Sequence, residues 1–158
     1  MPRLAYIVVD QDNRFLLLLL IVGATFVPHA KSEDIRFYLQ LVRGTDKGLP
    51  PSLDARPAGL KLNQRLQLFK WKHFWEIERK TVVLHIGGKT RQRLSPHREV
   101  EIEMVGANEM TVSIYSDGKL ALTGKQAVDA AFYIVGGDYQ DGQSWFIVVR
   151  RDQPQDPV

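Results

Sequence analysis

An all-β, mainly antiparallel domain is what this sequence predicts: a β-sandwich or partly open barrel of about eight strands with one short helix, preceded by an N-terminal signal segment. Three observations carry that expectation. Short runs of alternating apolar and polar residues recur from Ile35 to Val149. Glycine-containing turn pairs, Gly87-Gly88 and Asp117-Gly118, separate several of them at the spacing of about 8 to 12 residues typical of such folds. The one stretch with a helical face, Leu60 to Phe69, is short.

The elements follow in chain order. From Phe15 to Val27 the sequence reads FLLLLLIVGATFV, with no charge, behind Arg3 and Arg14. Those 13 residues are too few for the ~17 to 25 that cross a bilayer as a helix, and they fit the core of a secretory signal. Cleavage is expected after Ala24 or Ala30, so residues 1–30 read as a signal peptide or a short apolar anchor, 31–150 as a single β-rich domain and 151–158 as a frayed tail.

Ile35 to Val42 alternates, with Phe37, Leu39 and Leu41 on one side and Arg36, Tyr38 and Gln40 on the other, as a half-buried strand does. Gly44 to Gly59 holds Pro50, Pro51 and Pro57 and reads as a long loop, a candidate contact surface. In the next stretch Leu62, Leu66 and Phe69 share one face of a short helix. Trp71 to Glu78 is expected to be extended, with Trp71, Phe74, Trp75 and Ile77 to bury.

A meander follows. Val82, Leu84 and Ile86 form one face of a strand, Gly87-Gly88 is suited to a hairpin turn, and Thr90 to Leu94 is the expected return strand. After Ser95-Pro96-His97, Glu99 to Val105 alternates strictly, with Val100, Ile102 and Met104 inward. Met110, Val112 and Ile114 pair through Asp117-Gly118, a type I′ pair, with Leu120 and Leu122. Ala131 to Val135 and Trp145 to Val149 complete the set, the latter apolar on both faces and therefore a central strand.

Composition narrows the function classes. Hydrophobic residues make up 44% and charged residues 25% of the chain, the proportions of a globular protein. A net charge of +3 falls short of a dedicated nucleic-acid binder. With no cysteine there is no disulfide, thiolate metal site or cysteine nucleophile. An exported chain without disulfides points to a bacterial envelope, periplasmic or secreted.

Between Lys61 and Arg98 ten Lys or Arg stand against two acids, Glu76 and Glu78, and aromatics interleave with the bases from Phe69 to Trp75. This mixture makes Lys70, Trp71, Lys72, Trp75, Arg91 and Arg93 the candidate binding residues, since cations and flat rings together suit anionic or carbohydrate polymers. A competing reading pairs Arg91 and Arg93 across strands with Glu99, Glu101 and Glu103, and buries the tryptophans.

Other motifs carry less. His29, His73, His85 and His97 lack metal-ligand spacing. Gly88-Lys89-Thr90 resembles the end of a phosphate loop, but that motif's first glycine would fall at Val83, within a strand. The loop Gly136 to Gly142 holds Asp138 and Asp141, too few oxygens by themselves for calcium, and a plain hairpin loop is expected. No Gly-x-Ser-x-Gly elbow or Ser-x-x-Lys pair is present.

The sequence therefore predicts a non-catalytic interaction or accessory protein of the cell envelope or extracellular space, with no cofactor and no metal. Its expected partner is an envelope or extracellular protein or an anionic polysaccharide. Nucleic acid is not expected, and the membrane is met only through an uncleaved N-terminal segment. The alternatives are a carbohydrate or anionic-polymer module using residues 69–75, and an enzyme whose site is dispersed over distant strands.

Overall fold

The computed structural model describes residues 34–138 and 142–155. The signal or anchor segment and its cleavage sites lie outside them, as do residues 139–141 of the glycine-rich loop. In chain order the elements are β1 (Ile35–Thr45), β2 (Arg56–Pro57), α1 (Leu60–Leu66), β3 (His73–Leu84), β4 (Lys89–Ser95), β5 (Arg98–Met104), β6 (Glu109–Ser116), β7 (Lys119–Ala127), β8 (Tyr133–Asp138) and β9 (Ser144–Arg150).

They build two antiparallel sheets, one of five strands in the order β2-β3-β1-β9-β8 and one of four in the order β4-β5-β6-β7. Apolar residues of alternating parity seal them face to face. Phe37, Leu39 and Leu41 of β1, Val82 and Leu84 of β3 and Ile147 and Val149 of β9 share one core with Val100, Ile102, Met104, Met110, Val112 and Ile114 from the second sheet. Phe37 and Ile102 are wholly buried, and side chains of this kind stabilise by about 1.5 to 3 kcal/mol each. The fold is the mainly antiparallel, sandwich-like arrangement that the alternation predicts.

A second cluster lies on the outer face of the five-stranded sheet. Leu62 and Leu66, one helical turn apart on α1, pack there with Val42, Phe74, Phe146 and Val148. This explains why β9 is apolar on both faces: it lies between β1 and β8 and is covered by the second sheet on one side and α1 on the other. The helix has no side-chain cap at Gly59, so burial of its leucines, rather than capping, holds it in place.

Three local features depart from the sequence reading. The expected hairpin at Gly87-Gly88 is an arch between the sheets, because β3 pairs with β1 and β2 whereas β4 pairs with β5. The arch lets Val82 and Leu84 face Leu94 across the core. Gly87, at φ 81°, donates its N–H to the Met104 carbonyl at 2.9 Å, which ties the arch to β5.

The expected extended segment from Trp71 and the strand beginning at Thr81 are one continuous strand, β3. A bulge opposite Leu41 and Val42 leaves Ile77 as an extra residue, shifting the parity so that Phe74 and Glu76 face α1 while Ile77 packs on the inter-sheet core.

The beginning of the expected frayed tail is docked. Arg150 Nε donates to Asp152 Oδ1 at 2.7 Å, Lys61 lies 3.8 Å from the same carboxylate, and Pro154 is buried.

The Asp117-Gly118 turn has φ values of 51° and 76°, the left-handed pair that a type I′ hairpin requires.

Candidate binding groove

On one side of the sandwich the sheets end in β8 and β7. Beyond β9 the five-stranded sheet has a single further strand, β8, whose outer edge has no strand partner among the described residues. Residues along β8 alternate in their packing: Phe132, just before it, and Ile134 join the α1-side cluster, while Tyr133 and Val135 pack on the inter-sheet core. Burial raises the Tyr133 hydroxyl above its usual value.

Two adjacent glycines precede Asp138, the last residue of the strand, and both are required. Gly136 pairs with Phe146 and Gly137 with Trp145. A Cβ on Gly136 would lie 2.6 Å from the Phe146 ring and one on Gly137 2.8 Å from the Trp145 ring. The aromatic rings of β9 therefore fold over glycines of β8 on opposite faces of the sheet, and beyond Val135 the only side chain on β8 is that of its last residue, Asp138.

Against this edge lies the segment that follows α1. Phe69 packs its ring 4.7 Å from Phe146, and the Lys70 ammonium sits 4.6 Å from the Trp71 ring centroid. Trp71 itself is wedged over Gly44, where an added Cβ would be 2.6 Å from its Cδ1. Between this segment and β8 runs a cavity of about 520 Å³ lined by Leu68, Phe69, Lys70, Trp71, Ile134, Gly136, Gly137, Asp138, Ser144 and Phe146. A second cavity of about 320 Å³, lined by Arg65, Leu68, Phe69, Ala131, Phe132 and Ile134, shares Leu68, Phe69 and Ile134 with it.

Leu68 is 87% and Phe69 43% exposed. Asp138 accepts a 2.6 Å hydrogen bond from the Ser144 hydroxyl, whereas neither Lys70 nor Arg65 meets a carboxylate among the described residues. The groove is thus a trough of mixed apolar and polar lining beside a strand edge that has no strand partner among the described residues, with two cations and the Asp138 carboxylate along it.

The candidate binding residues named from sequence are distributed over three places. Lys70 and Trp71 line the large cavity. Lys72 and Trp75 line a separate cavity of about 220 Å³ with Pro57, Asn63 and His73.

Arg91 and Arg93 lie on the outer face of the four-stranded sheet, where both guanidinium groups reach Glu99, at 2.6 and 2.9 Å. There Arg93 and then Arg91 hold the Glu99 carboxyl below the usual carboxylate range, and Arg91 also stacks 3.5 Å from the Tyr115 ring centroid. Cross-strand pairing accounts for these two arginines.

Trp71, Trp75 and Trp145 are all half-buried, so they form no common exposed platform. The loop at 44–59 joins β1 and β2 at its ends and exposes Leu49 and Leu53 between them.

The sequence reading missed Leu68, Ile134, Ser144 and Phe146, and took Gly136 and Gly137 for part of a loop. The available signal was a glycine pair in an apolar run facing a Trp-Phe pair, since glycine within a strand marks close approach of a neighbour.

No group of three or more potential metal-ligating side chains occurs among the described residues. No helix among them is long and apolar enough to cross a membrane. The chain matches no protein-family model, no curated protein and no solved structure.

Proposed function

We propose that this chain is a non-catalytic interaction module, exported to the cell envelope or extracellular space, which binds a protein partner in the groove between residues 68–71 and β8. The observation that carries the reading is the exposed Leu68-Phe69 pair lining a cavity with the glycine-containing strand β8, whose outer edge has no strand partner among the described residues. Exposed apolar side chains concentrated beside a concave surface favour association, because covering them removes apolar area from water. The groove's polar groups suit recognition: one ammonium, and a carboxylate already engaged by a neighbouring hydroxyl.

Export rests on the charge-free run from Phe15 to Val27 and is tested by fractionating native cells and sequencing the N-terminus of the recovered chain. A start near Thr25 or Lys31 outside the cytoplasm is expected, and a full-length cytoplasmic chain contradicts export.

The binding reading is tested in the native host by placing a photocrosslinking residue at Leu68 and, separately, at Arg93 on the opposite sheet. Leu68 is expected to yield a discrete protein adduct that Arg93 does not. No adduct from Leu68, or equal adducts from both positions, removes the groove as the contact surface.

A further inference from the structure

We infer that the groove takes an extended segment of its partner as a sixth strand of the five-stranded sheet, added along the open edge of β8, with an acidic residue of that segment meeting Lys70. The inference rests on the interaction reading above and specifies its partner's chemistry.

A strand edge presents a row of N–H and C=O groups, and the ligand that satisfies such a row in register is another peptide backbone. Natural edges are blunted by inward charges, proline or covering loops. On β8 the glycines Gly136-Gly137, whose neighbouring rings lie over the sheet faces, are followed only by Asp138, and the outer edge has no strand partner among the described residues.

Each face beside the β8 edge offers apolar neighbours among the described residues. On the α1 side, Leu68, Phe69 and Ile134 line the two adjoining cavities. On the other side stands β7. The Tyr133 hydroxyl of β8 reaches within 3.2 Å of where a Cβ of Gly124 would be, so β8 lies across from β7. Leu122 of β7 pairs with the wholly buried Ile114 and so shares its inward parity, yet remains 43% exposed. Leu122 is thus an apolar side chain left partly open to solvent on this side of the β8 edge.

The expected segment is apolar at alternate positions on both faces, like β9, about six residues long to match β8 and thus about 20 Å in extent. Lys70 and Arg65 have no carboxylate partner of their own among the described residues, while Asp138 in the same cavity is engaged by the Ser144 hydroxyl, so an acid on the segment complements the two cations. A second copy of the chain would offer the same two cations to the same trough.

The test uses the full chain as bait for a displayed library of random linear 12-residue peptides. The winning peptide is then synthesised and titrated by calorimetry. Enrichment of alternating apolar segments with an Asp or Glu is expected. Lys70→Glu, at an exposed position whose folding is verified by circular dichroism, should weaken binding at least tenfold, and replacing the peptide's acid by lysine should restore it. N-methylation of the peptide amides facing β8 should abolish binding, whereas N-methylation of the opposite parity should leave it within about threefold.

Failure to enrich such peptides, indifference to Lys70→Glu, or equal tolerance of both N-methylation patterns overturns the inference. So does sedimentation showing that a second copy of the chain occupies the edge. A Leu68 adduct in cells together with any of those results keeps the interaction module and removes the added strand, so the two proposals fail separately.

Discussion

Replacing Glu76 by leucine is expected to cost the fold about 3 kcal/mol, a figure that follows from what surrounds this carboxylate. Glu76 is 1% exposed, on the α1 side of β3. The Arg79 guanidinium meets it twice, through Nε at 2.9 Å and a terminal nitrogen at 3.1 Å, and Arg56 Nε lies 3.0 Å away. The buried Gln40 amide also donates to it.

Leucine nearly fills the same volume, so little of the loss comes from a cavity. Gln40, itself 1% exposed, loses the acceptor for its N–H, at about 1 to 3 kcal/mol. Removing one member of a buried ion pair costs about 3 to 5 kcal/mol. The Arg79 side chain is 17% and that of Arg56 46% exposed, so water relieves part of the charge and the estimate belongs at the low end of that range. At about 4 °C per kcal/mol for a domain of this size, the midpoint falls by about 12 °C.

Urea and thermal unfolding of the purified chain measure the loss, and Glu76→Gln, which keeps the shape and one hydrogen-bonding oxygen, should lose less. A loss below 1 kcal/mol for Glu76→Leu would refute the reasoning, because it would mean that the cluster is solvated or contributes nothing net.

Other consequences are open to the same assays. Ile102→Ala, at a wholly buried site between the sheets, should destabilise by about 4 kcal/mol through lost burial and the cavity left behind, read as a lower urea midpoint with unchanged slope. Gly44→Ala would place a Cβ 2.6 Å from Trp71 Cδ1 and 2.9 Å from the Phe146 ring; a loss of about 1 to 3 kcal/mol is expected, with a red shift of tryptophan emission as Trp71 is displaced.

Acid should weaken the fold. Arg93 and Arg91 hold Glu99, His97 holds Asp117 and Arg150 holds Asp152 below their ordinary values. Carboxyls depressed in the folded state contribute stability above their unfolded values and lose it as the pH falls through the folded ones. The thermal midpoint should therefore drop below about pH 4, and Asp152→Asn should make that drop shallower while lowering the midpoint at neutral pH.

How far the fold can be read from sequence depends on whether a contact is local. β5, β6 and β7 are consecutive neighbours with period-two alternation and an Asp-Gly turn, so their faces follow from spacing alone. The pairing of Arg91 and Arg93 with Glu99 follows in the same way. The arch after β3 does not, because Gly87-Gly88 permits a reversal but is silent on whether the reversed strand rejoins its own sheet. The unity of β3 was hidden by its bulge, which breaks the two-residue period at Ile77.

At the groove, Lys70 and Trp71 were visible as a basic and aromatic run. Their distance from Lys72 and Trp75 was not, because it depends on where β3 begins and which face each ring takes. The β8 edge was least legible of all: its exposure follows from β9 pairing with β1, some hundred residues earlier in the chain, and no local pattern records that.

The docking claim is tested most directly by hydrogen exchange on the chain alone and on the chain recovered with the partner captured through Leu68. The account predicts that amides of 66–71 and 133–138 exchange more slowly in the complex, while those of 89–103 on the opposite sheet are unchanged. Unchanged exchange at 133–138, or protection confined to 89–103, would contradict it.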